Sequence, residues 1–381
     1  MTGALDGYRV VEFSEGTAGP MIGRMLGDAG ADVVKVEGPD GDRARGWGPE
    51  EYDGTSIVFQ VLNRNKRSVV VEQAIPNSAL GSHIVQRLLS EADVLIVDNG
   101  QLDVGAVMAQ HPRLVVCVVS SWGPNGPWSD LPGGELPAQL SSESTSSLGR
   151  IGEEPVRLGT ELASMHAAAY GFQGVLAALL AIDEMGAQRV DVSLFGSLMQ
   201  MRTTMWAALS NPDEWRGFHL DSYIKPPEHG YTAKDRLMYL TVGRVADPDE
   251  MFRALKMDFA MEDPRYEMLR NDRSGGMGDY SHLTHDLWDR GLSQFSYDEA
   301  KEIIESHGGW VFPCLNFQEM IDDEHVRLMG LFISYPDNDG KIVRDIRPPW
   351  ILSDTPASVR RPAPRLGQHT DEFDHHDDVA G

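Results

Sequence analysis

Cysteine is nearly missing from this chain of 381 residues: Cys117 and Cys314 are its only two. One sits in an apolar run and the other follows Pro313, so neither a metal-ligand spacing nor a disulfide framework can be built from them. Such usage fits a reducing cytoplasm, the compartment expected here, and no metal is expected. Basic residues are scarce as well: 33 Lys and Arg stand against 58 Asp and Glu, a net charge of −25. A nucleic-acid partner is thereby disfavoured, because a phosphate backbone needs a basic face. An anionic ligand would have to find a local cluster of cations working against the overall field. No apolar run reaches the roughly 18 residues that span a bilayer. The opening Met1 to Gly7 lacks the basic segment and apolar core of a secretory leader. No membrane partner is expected. Also missing is a G-x-G-x-x-G fingerprint, which leaves NAD or FAD binding without direct support.

What the chain does have is alternation. Short β-branched runs at Tyr8 to Phe13, Val33 to Val36, Ser68 to Glu72, Val94 to Val97 and Leu114 to Val119 read as buried strands separated by helical patterns. That order implies βαβ units and a parallel sheet covered on both faces. Gly19-Pro20 opens a helix that Gly30 ends, giving a Rossmann-like start. Residues 121–160, rich in Gly, Pro and Ser, read as active-site loops. An apolar helix follows at 165–182, then a strand at Arg189 to Leu194 and a helix from Phe195 to Leu209. Tyr231 to Val242 predicts a hairpin turning at Lys234-Asp235. Helices are expected at Asp247 to Leu255, His282 to Gly291 and Tyr297 to His307, with a glycine loop at Ser274 to Gly278. The Pro-rich tail from Asp354 is expected to lie over a surface before fraying. The predicted fold class is α/β: a Rossmann-like large domain from 1–210 and 316–381, with a smaller α+β domain inserted at 225–315.

Several segments recur in a known order. They are Gly7 to Phe13, Ala18-Gly19-Pro20, Gly30 to Glu37, Pro39 to Arg43, Asn63 to Ser68, Ala92 to Leu95, Arg157 to Ser164, Asp322 to Arg327, Leu352 to Pro356 and Ala363 to Thr370. Together they resemble the family III (CaiB/BaiF) CoA-transferases over nearly the whole chain. The resemblance implies an acyl-CoA thioester as substrate, with no covalently bound cofactor, a carboxylic acid as its other partner, and two chains interlocked as a dimer. CoA carries several phosphates, and Lys35, Arg43, Arg45, Arg64, Lys66 and Arg67 supply cations in loops after predicted strands, where open α/β sheets bind ligands. Arg43, Lys66 and Arg67 lead the CoA-contact candidates, followed by Lys35; a solvated surface face is the other reading. At Gly19 the helix start either presents backbone N–H groups to a phosphate or simply begins the helix. Asp98 to Gln101 departs from the basic, Pro-containing loop of many members, so one CoA contact is expected to be lost.

The resemblance places a nucleophilic Asp where this chain has Ser164. A carboxylate attacks the acyl-CoA carbonyl to form an anhydride, which keeps the activation of the thioester and lets transfer run both ways. A serine ester is a poor acyl donor back to a thiolate, so Ser would favour hydrolysis or a dead end. Ser is also a strong N-cap residue, and Ser164 stands just before the apolar helix, where capping would be worth ~1 kcal/mol. Glu161 and His166 are the nearest substitutes, as displaced nucleophile, base or acid. Asp93 and Asp191 read as structural. Met199, Met201, Met205 and Trp206 read as core more than as pocket. Three functions stay open: the nucleophile-free subunit of a heteromer with a homologous Asp-bearing chain, a homodimeric acyl-CoA racemase or isomerase using Glu161 or His166, and a non-catalytic acyl-CoA binding protein.

Overall fold

The computed structural model of the protein describes residues 3–72, 80–142, 144–145, 154–203, 230–271 and 281–374. Two compact units divide the chain: Met1–Thr145 with Arg157–Met201 and His325–Gly381, and Ser146–Val156 with Arg202–Glu324.

In the first unit, β-branched runs form a six-stranded parallel sheet. Its strands are β1 (Arg9–Phe13), β2 (Asp32–Glu37), β3 (Lys66–Val70), β4 (Val94–Asp98), β5 (Val115–Ser120) and β6 (Arg189–Ser193), in the order β3-β2-β1-β4-β5-β6. Helices α1 (Ala18–Asp28), α2 (Ile57–Asn63), α3 (His83–Glu91), α4 (Val104–Gln110), α5 (Glu135–Ser141), α6 (Leu162–Leu180) and α7 (Leu194–Met201) accompany it. Because side chains alternate across a strand, Val10, Val33, Ile96 and Cys117 point to one core with Ile22, Leu26 and Ala167. Val11, Val34, Leu95 and Val116 point to the other with Val85, Leu88 and Val107. Burial on both faces explains why these strands read as unbroken apolar runs.

Helix α6 buries small residues, Ala163, Ala167, Ala168, Gly171 and Ala178 among them. They let it lie close to its neighbours: a Cβ on Gly171 would fall 2.5 Å from Ile22 Cδ1, and one on Gly174 2.6 Å from Val190 Cγ1. β3 is an edge strand, and edges left bare invite pairing with other chains. Here the C-terminal segment covers it: Ser68 and Val70 N–H donate to His369 Nδ1 and Thr370 Oγ1, and His369 N–H returns a bond to Ser68 O. Asn65, with φ of +64°, accepts Arg360 N–H and donates to Asp28, tying the same segment to α1.

The second unit holds a three-stranded antiparallel sheet of β7 (Tyr231–Thr232), β8 (Leu237–Thr241) and β9 (Trp310–Pro313), in the order β9-β8-β7. Ala233 N–H to Arg236 O closes the turn through Lys234 and Asp235, where the hairpin was expected. Met251, Phe252, Trp288 and Ile304, from α8 (Pro248–Ala254), α9 (Ser281–Leu292) and α10 (Tyr297–Ser306), pack with it. Asp247, read as the first residue of α8, is its N-cap: its carboxylate accepts from Asp249 and Glu250 N–H. The Ser274 to Gly278 loop lies outside the described residues. Among the described residues, no helix is long and apolar enough to cross a membrane.

Candidate active site

The strand order turns back on itself between β1 and β4, and in open α/β sheets ligands bind beyond the carboxyl ends of the strands at that point. A cavity of about 450 Å³ lies there. Glu15 and Thr17 line it after β1, Asp98 and Asn99 at the end of β4, and Ser120 at the end of β5. Every lining residue belongs to the first unit. Trp47 and Trp122 add apolar wall, and Trp122 is held by an edge contact with Trp128 at 5.3 Å and a tilted one with Phe195 at 6.0 Å between ring centroids.

The long helix α6 delivers Ser164 to the cavity, but not as its cap. It begins three residues earlier than its apolar pattern suggests, with Glu161 at the N-cap and Ser164 inside the first turn. The reason is a carboxylate contributed from elsewhere in the chain. Glu135, at the start of α5, accepts Ala163 N–H at 2.7 Å on Oε1 and Ser164 N–H at 2.9 Å on Oε2, satisfying two orphan donors of the helix. Its charge also suits the helix N-terminus. On Oε2 it further accepts the Ser164 hydroxyl at 2.8 Å, and on Oε1 Gln139 Nε2 at 2.7 Å. Sequence reasoning missed both Glu135 and α5. The available signal was Pro137 two residues after Glu135, a place in the first helical turn that proline tolerates.

Four carboxylates therefore line the cavity: Glu15, Asp98, Glu135 and Glu161. Burial, then the Asp42 charge, raises the Glu15 pKa, while Lys35 and Arg43 oppose the shift. Burial pushes Asp98 up to about 7 against a hydrogen bond from Glu15 N–H and the Lys35 and Arg43 charges. Glu161 is raised by burial and by the Glu135 charge. Its carboxylate lies 3.4 Å from the Arg157 guanidinium, and its side chain is 42 % exposed. His166 bonds its own helix through Nδ1 to Leu162 O and does not line the cavity.

Of the predicted cations, one reaches the cavity. Arg43 begins a 3₁₀ turn, Arg43–Gly46, capped by Asp42, and its guanidinium lies 5.9 Å from the Trp47 ring centroid. Among the described residues it forms no ion pair. Lys35 and Lys66 correct the expectation of phosphate contacts: both are completely buried. Lys35 Nζ pairs with Glu12 at 2.9 Å and Asp42 at 2.8 Å; Lys66 Nζ pairs with Glu12 at 2.8 Å and donates to Asn63 Oδ1 and Pro20 O. Buried ammonium groups demand such partners. Burial opposes the Lys35 charge, but Glu12 and Asp42 outweigh it and raise its pKa. Arg64 is buried against Asp28 and Asp345, Arg45 pairs with Glu37, and Arg67 joins Asp32 to Glu372 beneath the C-terminal segment. Gly19 serves packing: a Cβ there would fall 2.3 Å from Ser14 Oγ, though its neighbours Thr17 and Ala18 border the cavity. Asp93 accepts Arg9 N–H and Asp191 pairs with Arg189, both structural. Met199 and Met201 do not line the cavity, and Met205 and Trp206 lie outside the described residues.

Comparison with known proteins agrees with this geometry. The chain is 28 % identical to the succinate–glutarate CoA-transferase of Agrobacterium fabrum, over 96 % of this chain and 93 % of the relative. It is 26 % identical to the succinyl-CoA–L-malate CoA-transferase beta subunit of Chloroflexus aurantiacus, over 97 % and 92 %. A crystal structure of a CaiB/BaiF family protein from Brucella suis superposes with a TM-score of 0.81 at 23 % identity, covering 98 % of this chain and 99 % of that one. A sequence model of CoA-transferase family III matches residues 5–370. With its sheet, its switch-point cavity and its near-complete coverage in accord, the chain belongs to CoA-transferase family III, whose members are transferases that take CoA thioesters as substrates.

Proposed function

We propose that this protein binds an acyl-CoA thioester in the switch-point cavity and takes part in CoA transfer to a carboxylic acid as the subunit without a nucleophile. An Asp-bearing homologue would be its partner in an interlocked pair. The observation that carries this reading is the state of the α6 N-terminus: the residue that lines the cavity in its first turn, Ser164, offers a hydroxyl, and the carboxylate beside it is held by four hydrogen bonds. A carboxylate so engaged is a poor nucleophile, since attack on a carbonyl carbon would require it to leave its donors, whereas a proton can reach it along the bond it already accepts from Ser164. Arg43 would meet the CoA phosphates, and the two tryptophans would cover the acyl group. The Chloroflexus relative is named as one subunit of its enzyme, which supports division of labour in this family.

The test is an exchange assay between succinyl-CoA and a panel of free acids, with and without an Asp-bearing homologue from the same genome. Transfer only in the pair is expected. Transfer by the protein alone, abolished by Glu161→Gln, would instead support a self-sufficient homodimer; the raised pKa and partial exposure of Glu161 at the cavity favour that second reading.

A further inference from the structure

We infer that Ser164 and Glu135 form a nucleophile–base pair, giving the isolated protein a slow acyl-CoA hydrolase activity. The inference rests on the proposed binding of an acyl-CoA in this cavity and adds a reaction to it. Both side chains line the cavity, and Ser164 Oγ donates to Glu135 Oε2 at 2.8 Å. Ser164 lines the cavity while only 6 % exposed.

The base is oriented by a third group, as an activated nucleophile requires. Gln139, fully buried, donates to Glu135 Oε1 at 2.7 Å and is itself fixed by Leu158 N–H at 3.2 Å and Thr160 O at 3.3 Å. Capping α6 accounts for the two backbone bonds to Glu135. It does not account for the hydroxyl, whose bond adds nothing to the cap. Nor does the cap depend on the serine side chain.

The chemistry balances without another reagent. Oγ attacks the thioester carbonyl carbon as its proton passes to Glu135 Oε2; the C–S bond breaks, and the departing thiolate takes that proton to leave as free CoA. The positive end of the 19-residue helix α6 favours the negative charge that develops at its first turn. Water then gives a proton to Glu135 and attacks the serine ester, and the serine oxygen recovers the proton as the acid leaves. Net, one thioester and one water give one acid and one CoA. Return of the acyl group to a thiolate is unfavourable from an oxyester, so the cycle runs to hydrolysis.

The experiment incubates the full chain, with no added acid, with acetyl-, butyryl- and benzoyl-CoA, and measures free CoA by chromatography. A thiol dye is unsuitable because Cys314 is exposed. CoA binding is titrated calorimetrically on the same preparation. Release above the buffer rate is expected with at least one probe, reduced at least tenfold by Ser164→Ala, which keeps both backbone bonds to Glu135. Glu135→Gln is expected to slow release similarly, and a Ser164-acyl peptide is expected in acid-quenched digests. Label from ¹⁸O-water should appear in the released acid. CoA binding without release, or an unchanged rate in folded Ser164→Ala, overturns the hydrolase and leaves the transferase reading standing. Absence of CoA binding overturns both.

Discussion

Replacing Arg64 by Met separates a structural cation from a ligand-binding one. Its guanidinium is fully buried and bonds both oxygens of Asp28, at 3.0 and 2.7 Å, as well as Asp345 and the Ile346 carbonyl. Methionine fills most of the volume but strands two buried carboxylates. Breaking a buried pair by removing one partner costs about 3–5 kcal/mol. Some of this is offset, since Asp28 keeps Asn65 at 2.7 Å and Arg24 at 3.5 Å, and Asp345 keeps the Tyr335 hydroxyl at 3.0 Å. About 3 kcal/mol is therefore expected. With a urea m-value of roughly 3 kcal/mol/M, the midpoint of the α/β unit should fall by about 1 M. Adding Asp28→Asn and Asp345→Asn should recover most of it, because the stranded charges are what destabilise. Calorimetric CoA affinity of the folded variant should be unchanged. An unaltered midpoint together with a tenfold weaker CoA affinity would refute the argument and put Arg64 at the ligand.

Arg43→Ala should weaken CoA binding about tenfold, the scale of one charge-assisted contact, with wild-type unfolding; titration at two salt concentrations should show the difference shrinking as salt rises. In Gly23→Ala a Cβ would fall 1.9 Å from Glu12 Oε2, so the Glu12–Lys35–Lys66 cluster must open, and thermal unfolding should show a loss of about 3 kcal/mol. Asp98, raised to about 7 in the fold, binds more protons folded than unfolded between pH 4 and 7, so its stabilisation is present at low pH and lost as pH rises through 7. Asp98→Asn should remove that pH dependence and lead the wild type by about 1–2 kcal/mol at pH 8.5, a value discounted for its partial exposure; the same change in unfolding free energy between pH 5 and 8.5 in variant and wild type, read from urea titrations, would contradict it. Ser164→Asp should create weak acid-dependent CoA exchange by the chain alone, with an optimum shifted upward because the new carboxylate must share a proton with Glu135.

The main sheet was legible because its strands are buried on both faces. Val115 to Val119 admits no polar residue, and such a run between turn signals has few other readings. Strand ends were less so: β3 starts at Lys66 and not Ser68, since two of its first residues are cations that look like loop. Lys66 is completely buried and Arg67 largely so because β1 brings Glu12 to the first, and β2 and the returning C-terminal segment bring Asp32 and Glu372 to the second. No local pattern announces a partner some 300 residues away, as Glu372 is to Arg67.

The same physics explains why the site was harder to read than the fold. In a chain of net charge −25 every cation has a surplus of carboxylates to choose from, so a basic residue after a strand is more easily claimed internally than left for a phosphate. Lys35, Lys66, Arg64, Arg45 and Arg67 are all claimed in this way. Arg43 escapes because the 3₁₀ turn gives its neighbour Asp42 to Lys35 and to the Gly16 and Ala44 N–H groups, leaving the guanidinium to lie along Trp47. Glu135 went unseen for the converse reason: it is an ordinary acid in a glycine-rich stretch, and only folding lays it on the end of a helix that begins 27 residues later. What the serine means thus depends on a neighbour absent from its own motif, and substituting that one carboxylate tests whether Ser164 is a silent relic or a working hydroxyl.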